Sequence, residues 1–373
     1  MKYVIIAGEA SGDLHAAHLM EALKVKDPDA TFVFFGGDKM KRVAGHDPVG
    51  HINDMAFMGF SEVLRHLGAI RRNLKLAHGA VRGVGVDALI LIDYPSFNLK
   101  VARTAKKAGI PVFYYISPKV WAWKEYRVKQ IKRLVDHMYV IFPFEVSYYR
   151  SRHEYEVTFV GNPSVSEVDN ALANMQSRED FLSAHTLRDR PLLALLPGSR
   201  VGEIRNNLSV MTQVSERLPQ YRAVIAGAPG VSLDVYRRFT DLPVVYDSTL
   251  TLLAYSRASL VTSGTATLEA ALVGTPQVAC YRSNGSKMAY KIMKRILKVP
   301  FVTLPNLIAD KEIIPEMLLH RCTPDLIGER LFPLLSDTPE RRAMIKGYAE
   351  VRERLSAPGD APTNAAADIL ARL

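Results

Sequence analysis

The sequence predicts an α/β protein built from two doubly wound domains, each with a parallel sheet, facing one another across a cleft. Three observations carry this. The 373 residues exceed what one ordinary core serves. Short, continuously apolar runs alternate with helix-length segments through the first half, the pattern of strands covered on both faces. After residue 190 the alternation begins again.

Taken in order, "YVIIAG" (3–8) reads as a buried strand, with a helix over about 14–25. "TFVFFGG" (31–37) and "ALILID" (88–93) are the next strands, and 99–109 is helical. "PVFYYIS" (111–117) and "DHMYVIFPF" (136–144) complete the first sheet. In the second half "PLLALLPGS" (191–199) leads into a helix, and "YRAVIAG" (221–227) and "PVVYDS" (243–248) are strands. "ASLVTSGTATLEAALVGTPQVACY" (258–281) reads strand, loop, helix, strand. The polar run "NMQSRED" (174–180) marks the junction, so the expected domains are 1–170 and 171–355. "SAPGDAP" (356–362) sets off a terminal helix within 356–373, packed on the first domain or on a partner chain.

An apolar share of 48% and a charged share of 23% describe a soluble globular chain. The net charge of +10 suggests an anionic partner: nucleic acid, a phosphorylated small molecule or an acidic membrane. A merely basic surface is the plain alternative. Cys280 and Cys322 lie far apart without metal spacing, which argues against a disulfide framework or a zinc site and fits a reducing compartment. Residues 1–7 are too short for a signal-peptide core, and no run approaches the ~20 apolar residues of a spanning helix. Membrane association, if any, is expected to be peripheral.

Ligands of doubly wound sheets bind at the carboxyl ends of the strands, so the loops there are the places to look for chemistry. In "GEASGD" (8–13) the glycines are Gly8 and Gly12 only, short of the G-x-G-x-x-G fingerprint, and Glu9 would repel phosphate. Glu9, Ser11 and Asp13 suit hydroxyl groups; a tight turn with Ser11 or Asp13 capping the next helix is the equal alternative. Asp93, in "LIDYPSFN" (91–98), closes a strand and is either a general base for a hydroxyl nucleophile or a structural bond to its loop.

In the second half, Gly198, Ser199 and Arg200 of "LLPGSRVGE" (195–203) suit a diphosphate, through backbone N–H groups and a guanidinium. Ser263, Gly264 and Thr265 repeat the theme, and Glu269 lies one turn into the helix, placed for ribose hydroxyls. Simple capping is again the alternative. "DPD" (27–29) precedes the second strand, at the wrong end of the sheet for a catalytic metal. Neither a metal nor a cofactor is expected.

Two segments combine grease and positive charge. In 55–75, Met55, Phe57, Met58 and Phe60 are apolar and Arg71 and Arg72 basic; in 281–298, Lys291 and Lys294 join further cations without one acid. They fit an anionic phospholipid interface or an acyl-chain groove, unless they are core helices with a solvated basic side. Nucleic acid ranks lower, because none of its binding motifs is present.

Together "GEASGD", "MGFSEVL", "IDYPSFN", "YISPKVWAW", "FPFE", "LPGSR", "SGTATLE" and "LPN" resemble, in order and almost end to end, the lipid-A-disaccharide synthase family. Its members are inverting glycosyltransferases of the GT-B type, with two Rossmann-like domains. The resemblance implies a hexosyltransferase of lipid A biosynthesis, peripheral on the cytoplasmic face of a Gram-negative inner membrane. It would join UDP-2,3-diacylglucosamine to 2,3-diacylglucosamine 1-phosphate (lipid X), giving a β-1,6 linkage and UDP. By resemblance Asp93 is the base, and Glu9 and Ser11 line the reacting sugars. Arg200, with the helix start at 263–265, would neutralise the departing diphosphate, Glu269 hold the ribose, and Asn306 order the donor pocket. One departure is Asn162 in "FVGNP", where many members carry His. A homodimer stays open. The rival readings are another GT-B UDP-sugar enzyme, such as an epimerase or a soluble-acceptor transferase, and a non-catalytic lipid-binding protein.

Overall fold

The computed structural model describes residues 1–55, 67–122, 124–262, 264–282 and 300–373. Two compact units result: Met1–Pro163 together with Ala357–Leu373, and Ser164–Ser356. The first boundary thus falls ahead of residue 170.

The first unit is a seven-stranded sheet of β1 (Lys2–Ala7), β2 (Thr31–Gly36), β3 (Gly50–His51), β4 (Ala88–Ile92), β5 (Val112–Tyr115), β6 (His137–Val140) and β7 (Thr158–Phe159). The order is β3-β2-β1-β4-β5-β6-β7, and all neighbours are parallel. Period-two alternation sorts each strand between two cores. Tyr3, Ile5 and Ala7 of β1 join Ile90 and Ile92 on one face, while Val4 and Ile6 join Leu89 and Leu91 on the other. The chain returns at its end to cover the first face: Ala361, Ala365, Ala366 and Ile369 of the helix Ala361–Arg372 are buried there. Tyr139 donates to Asp368 at 2.9 Å, tying that helix to β6.

The second unit holds β8 (Leu192–Leu196), β9 (Arg222–Ala226), β10 (Val244–Val245), β11 (Ser256–Val261), β12 (Gln277–Tyr281) and β13 (Glu316–Leu318), in the order β10-β9-β8-β11-β12-β13. These pairs too are parallel. Strand order reverses between β1 and β4 in the first sheet and between β8 and β11 in the second, and such switch points are where doubly wound sheets bind ligands.

Several boundaries differ from the sequence expectation for local reasons. The first helix runs Ala10–Lys26 and so begins inside "GEASGD", because the Glu9 carbonyl already accepts the Asp13 N–H at 2.8 Å. The strand expected over 136–144 stops at Val140, since Pro143 opens the helix Pro143–His153 and Glu145 bonds back to the Phe142 N–H at 3.1 Å. "PVVYDS" supplies only the two residues of β10. The two cysteines, remote in sequence, are neighbours in the core of the second unit. Both are buried free thiols, and a hydrogen bond from the Cys280 thiol holds Cys322 below its usual range while burial pushes Cys280 up. Among the described residues, no helix is long and apolar enough to cross a membrane.

Candidate active site

At the β1–β4 switch point two loops lie side by side, because Ala7 pairs with Ile92. Glu9 follows β1 as the residue before the first helix, its backbone extended at φ −143° and ψ 163°. Ser11 is exposed in the first turn of that helix. Asp13 is not a hydroxyl ligand. It is buried and accepts from the backbone N–H groups of Gly37 (2.6 Å), Lys39 (3.1 Å) and Met40 (3.2 Å), capping the helix Asp38–Ala44. A β-carbon on Gly37 would meet an Asp13 oxygen at 2.7 Å, which explains the glycine.

Asp93 follows β4 in a bent segment, with Asp93 at φ 38° and Tyr94 at φ 46°, a conformation L residues seldom adopt. Three groups hold it. The Asn98 amide donates to the carbonyls of Asp93 (2.7 Å) and Ile92 (3.1 Å), the Tyr114 hydroxyl donates to the Asp93 carbonyl, and the Tyr94 hydroxyl donates to the Met55 carbonyl at 2.7 Å. Burial raises the Asp93 carboxyl above its ordinary range, against the lowering influence of Lys119, its own loop backbone and His15. Tyr94 is raised by burial and by the charge of Glu9, which places that carboxylate beside this loop. A half-buried carboxylate with raised proton affinity at a strand end is equipped to accept a proton. "DPD" lies at the opposite end of the sheet, where Asp27 pairs with the N-terminal amine at 2.8 Å.

At the β8–β11 switch point Gly198 and Gly264 adopt nearly the same rare conformation, φ 123° and 126°. Each precedes a helix, Val201–Glu216 and Thr265–Val273. Arg200 is exposed at the first helix start, its guanidinium 3.3 Å from Glu203. Against expectation the Ser199 N–H is engaged, by Glu203 at 3.0 Å. The reason is close packing: a β-carbon on Gly198 would meet that side chain at 2.5 Å. Thr265 is exposed, and the buried Thr262 hydroxyl has no hydrogen-bond partner among the described residues. Glu269 is half-buried, and burial together with the neighbouring Glu167 carboxylate raises its proton affinity.

Two expectations change. Met55 is no surface residue: it is 2% exposed and belongs to the core that takes Val4 and Ile6 of β1. Asn306 is buried, and its polar atoms are taken up by its own loop rather than presented to a pocket. Its amide donates to Ile314 (2.9 Å) and Glu316 (3.1 Å), and its oxygen accepts from Ile313 (2.7 Å) and Ile314 (2.9 Å), so it shapes the loop before β13 from within. Asn162 is buried and donates to the Ile141 carbonyl at 3.0 Å. Arg71 and Arg72 are exposed on the helix Leu67–Val81. Phe57, Met58, Phe60, Ser263, Lys291 and Lys294 lie outside the described residues.

Sequence reasoning passed over the asparagines that brace these loops. Asn207, buried in Val201–Glu216, donates to the Glu203 carbonyl (2.9 Å) and accepts from the Arg282 N–H (2.7 Å), fastening the end of β12 to the helix behind Gly198. Asn98 does the same service for Asp93. Their signal is an amide on an otherwise apolar face of the helix that follows a strand.

Two doubly wound units, each with its polar residues gathered at the switch point, define the architecture of GT-B nucleotide-sugar enzymes. Solved structures with this fold include a UDP-N-acetylglucosamine 2-epimerase described as putative from Listeria monocytogenes, with a TM-score of 0.64, 12% identity and coverage of 100% of this chain and 95% of that one. The S. aureus MnaA–UDP complex gives a TM-score of 0.65 at 12% identity, over 99% and 94% of the two chains. The lipid-A-disaccharide synthetase family model matches residues 3–364. Lipid-A-disaccharide synthases of Acidobacterium capsulatum and Myxococcus xanthus are 39% and 38% identical, covering 95% and 99% of this chain and 91% and 97% of those relatives. The chain belongs to the lipid-A-disaccharide synthase family and is a glycosyltransferase.

Proposed function

We propose that the protein joins UDP-2,3-diacylglucosamine to 2,3-diacylglucosamine 1-phosphate by inverting transfer, with Asp93 as the base. The carrying observation is the Asp93 carboxyl: raised in proton affinity by burial, and seated on a backbone pinned by Asn98 and Tyr114. In the step, the acceptor's 6-hydroxyl oxygen bonds to the donor's anomeric carbon and its proton passes to Asp93. The bond from that carbon to the diphosphate oxygen breaks, and UDP leaves with the electron pair. Glu9 and Ser11 face the sugars. Arg200 and the helix starts after Gly198 and Gly264 take up the charge growing on the diphosphate, as positioned donors do in transfer reactions. For Ser199 to take part, its N–H must exchange Glu203 for phosphate. Glu269 holds the ribose.

The acylated substrates imply work at a membrane surface, where the exposed Arg71 and Arg72 would meet anionic phospholipid. UDP release from the two acylated sugars, without added metal and with a deacylated donor alongside, tests the reading. No UDP from the acylated pair would overturn it; loss of activity in chelator would overturn its metal-free form.

A further inference from the structure

We propose that Lys119 and Arg127 hold a phosphate monoester on the acceptor sugar, beside Asp93 and separate from the turns that take the donor's diphosphate. The inference rests on the transferase reading above. Lys119 is exposed in the segment after β5, and Arg127 ends the short helical turn Glu125–Arg127. Among the described residues neither forms an ion pair, whereas Lys106, Arg150 and Lys41 of the same unit sit 2.6, 2.9 and 2.6 Å from a carboxylate.

Both cations converge on the Asp93 loop. The Arg127 guanidinium donates to the Ser96 hydroxyl at 2.9 Å, and Ser96 is the second residue of the helix Pro95–Lys107 that starts straight after Tyr94. Its charge also reaches the Tyr114 hydroxyl, the group that donates to the Asp93 carbonyl. The Lys119 charge acts on the Asp93 carboxyl itself. A guanidinium braced by a hydroxyl and an ammonium whose charge acts on the same loop match the donor demand of a phosphate dianion.

The reaction brings two anionic groups to the enzyme. The mechanism above gives the diphosphate to Arg200 and two helix starts of the second unit, which leaves Lys119 and Arg127 for the acceptor's own phosphate. There is an electrostatic need for them. A dianion one sugar ring from the base would raise the proton affinity of Asp93 further, and Lys119 and Arg127 offset that field.

The test compares the phosphorylated acceptor with the same diacyl sugar lacking phosphate, in detergent micelles without phospholipid. Lys119→Ala and Arg127→Ala are each measured beside Lys119→Arg and Arg127→Lys. The expected result is a loss of the selectivity ratio in kcat/KM by about tenfold or more for each alanine variant, with a smaller loss for the charge-retaining ones and the donor KM unchanged. Equal losses on both acceptors, or an unchanged ratio, would overturn the proposal. So would a preserved ratio accompanied by lost binding to phosphatidylglycerol vesicles, which would assign the pair to a lipid headgroup. Absence of UDP release by the unaltered protein would overturn both readings; normal release with an unchanged ratio overturns only this one.

Discussion

The ring of Tyr94 lies against Gly8 so closely that a β-carbon there would come within 2.3 Å of Tyr94 Cγ. The residue after the first strand is therefore a glycine that receives an aromatic ring from the neighbouring loop. That ring is anchored to the Met55 carbonyl at 2.7 Å. Gly8→Ala should push Tyr94 aside and misplace Asp93. Activity should fall at least about a hundredfold, for a stability loss of roughly 1–3 kcal/mol. Tyr94→Phe, which keeps the ring and loses one hydrogen bond, should cost only about 1 kcal/mol of stability. Chemical denaturation beside the UDP-release assay separates the two.

Asp93 should govern the acid limb of the pH–rate profile. Only its carboxylate accepts a proton, so kcat/KM should fall as pH drops through a value above the ordinary aspartate range. Removing the opposing charge with Lys119→Ala should move that limb to higher pH. Asp93→Asn should lower kcat by about 10²–10⁴. The folded state binds the Asp93 proton more tightly than the unfolded chain, so its stabilising contribution is present at acid pH and lost as pH rises through the folded value. At neutral pH the Asn variant should then be no less stable than the parent, and a lower denaturation midpoint would contradict this account.

Asp13→Ala should behave in the opposite way. Three backbone N–H groups lose their acceptor. The expected destabilisation is about 2–3 kcal/mol, with kcat per folded molecule within a fewfold of the parent. A selective loss of turnover at unchanged stability would return Asp13 to the list of hydroxyl ligands.

Arg200→Ala should leave stability within about 0.5 kcal/mol, because the side chain is 64% exposed and its pairing with Glu203 is a surface one. kcat should fall by about 10²–10³. Isothermal titration with UDP should show weakened binding; full affinity and full turnover together would place the diphosphate elsewhere.

Glu145 is a buried carboxyl that burial lifts from an ordinary 4.5 to about 7. It accepts from the Phe142 N–H at 3.1 Å and from the Trp121 indole at 3.2 Å. The folded protein holds this proton more tightly than the unfolded chain, so the stabilising contribution is complete below the ordinary value and disappears as pH rises through about 7. The thermal midpoint should fall between about pH 5 and about pH 8, and Glu145→Gln should flatten that slope. A parallel slope in the variant would assign it to another group.

The architecture was legible because buried parallel strands must be apolar on both faces, as Tyr3 through Ala7 and Leu192 through Leu196 are. Strand ends that collect Glu9, Asp93, Arg200 and Gly264 were legible for the same reason, since a polar residue closing an apolar run can only face the rim. Helix starts were less so: whether Ala10 or Leu14 opens the first helix depends on one backbone hydrogen bond that no periodicity announces.

Other assignments needed three dimensions. Sequence adjacency put Asp13 with Glu9 and Met55 with the greasy surface, yet helix geometry turns Asp13 towards Gly37 and packing draws Met55 inward. Asn306 looked like a site residue and proved a brace, while Asn98 and Asn207 looked like filler and hold the two switch points. Cys280 and Cys322 meet only because β12 and β13 are neighbours. By itself the sequence determined the two sheets, their strand ends and the kind of chemistry placed there, since burial and charge are properties of residue type and spacing. Which carboxylate is left open to titrate and which is spent on backbone donors was decided by tertiary structure alone, because a carboxyl's proton affinity depends on the few ångströms around it.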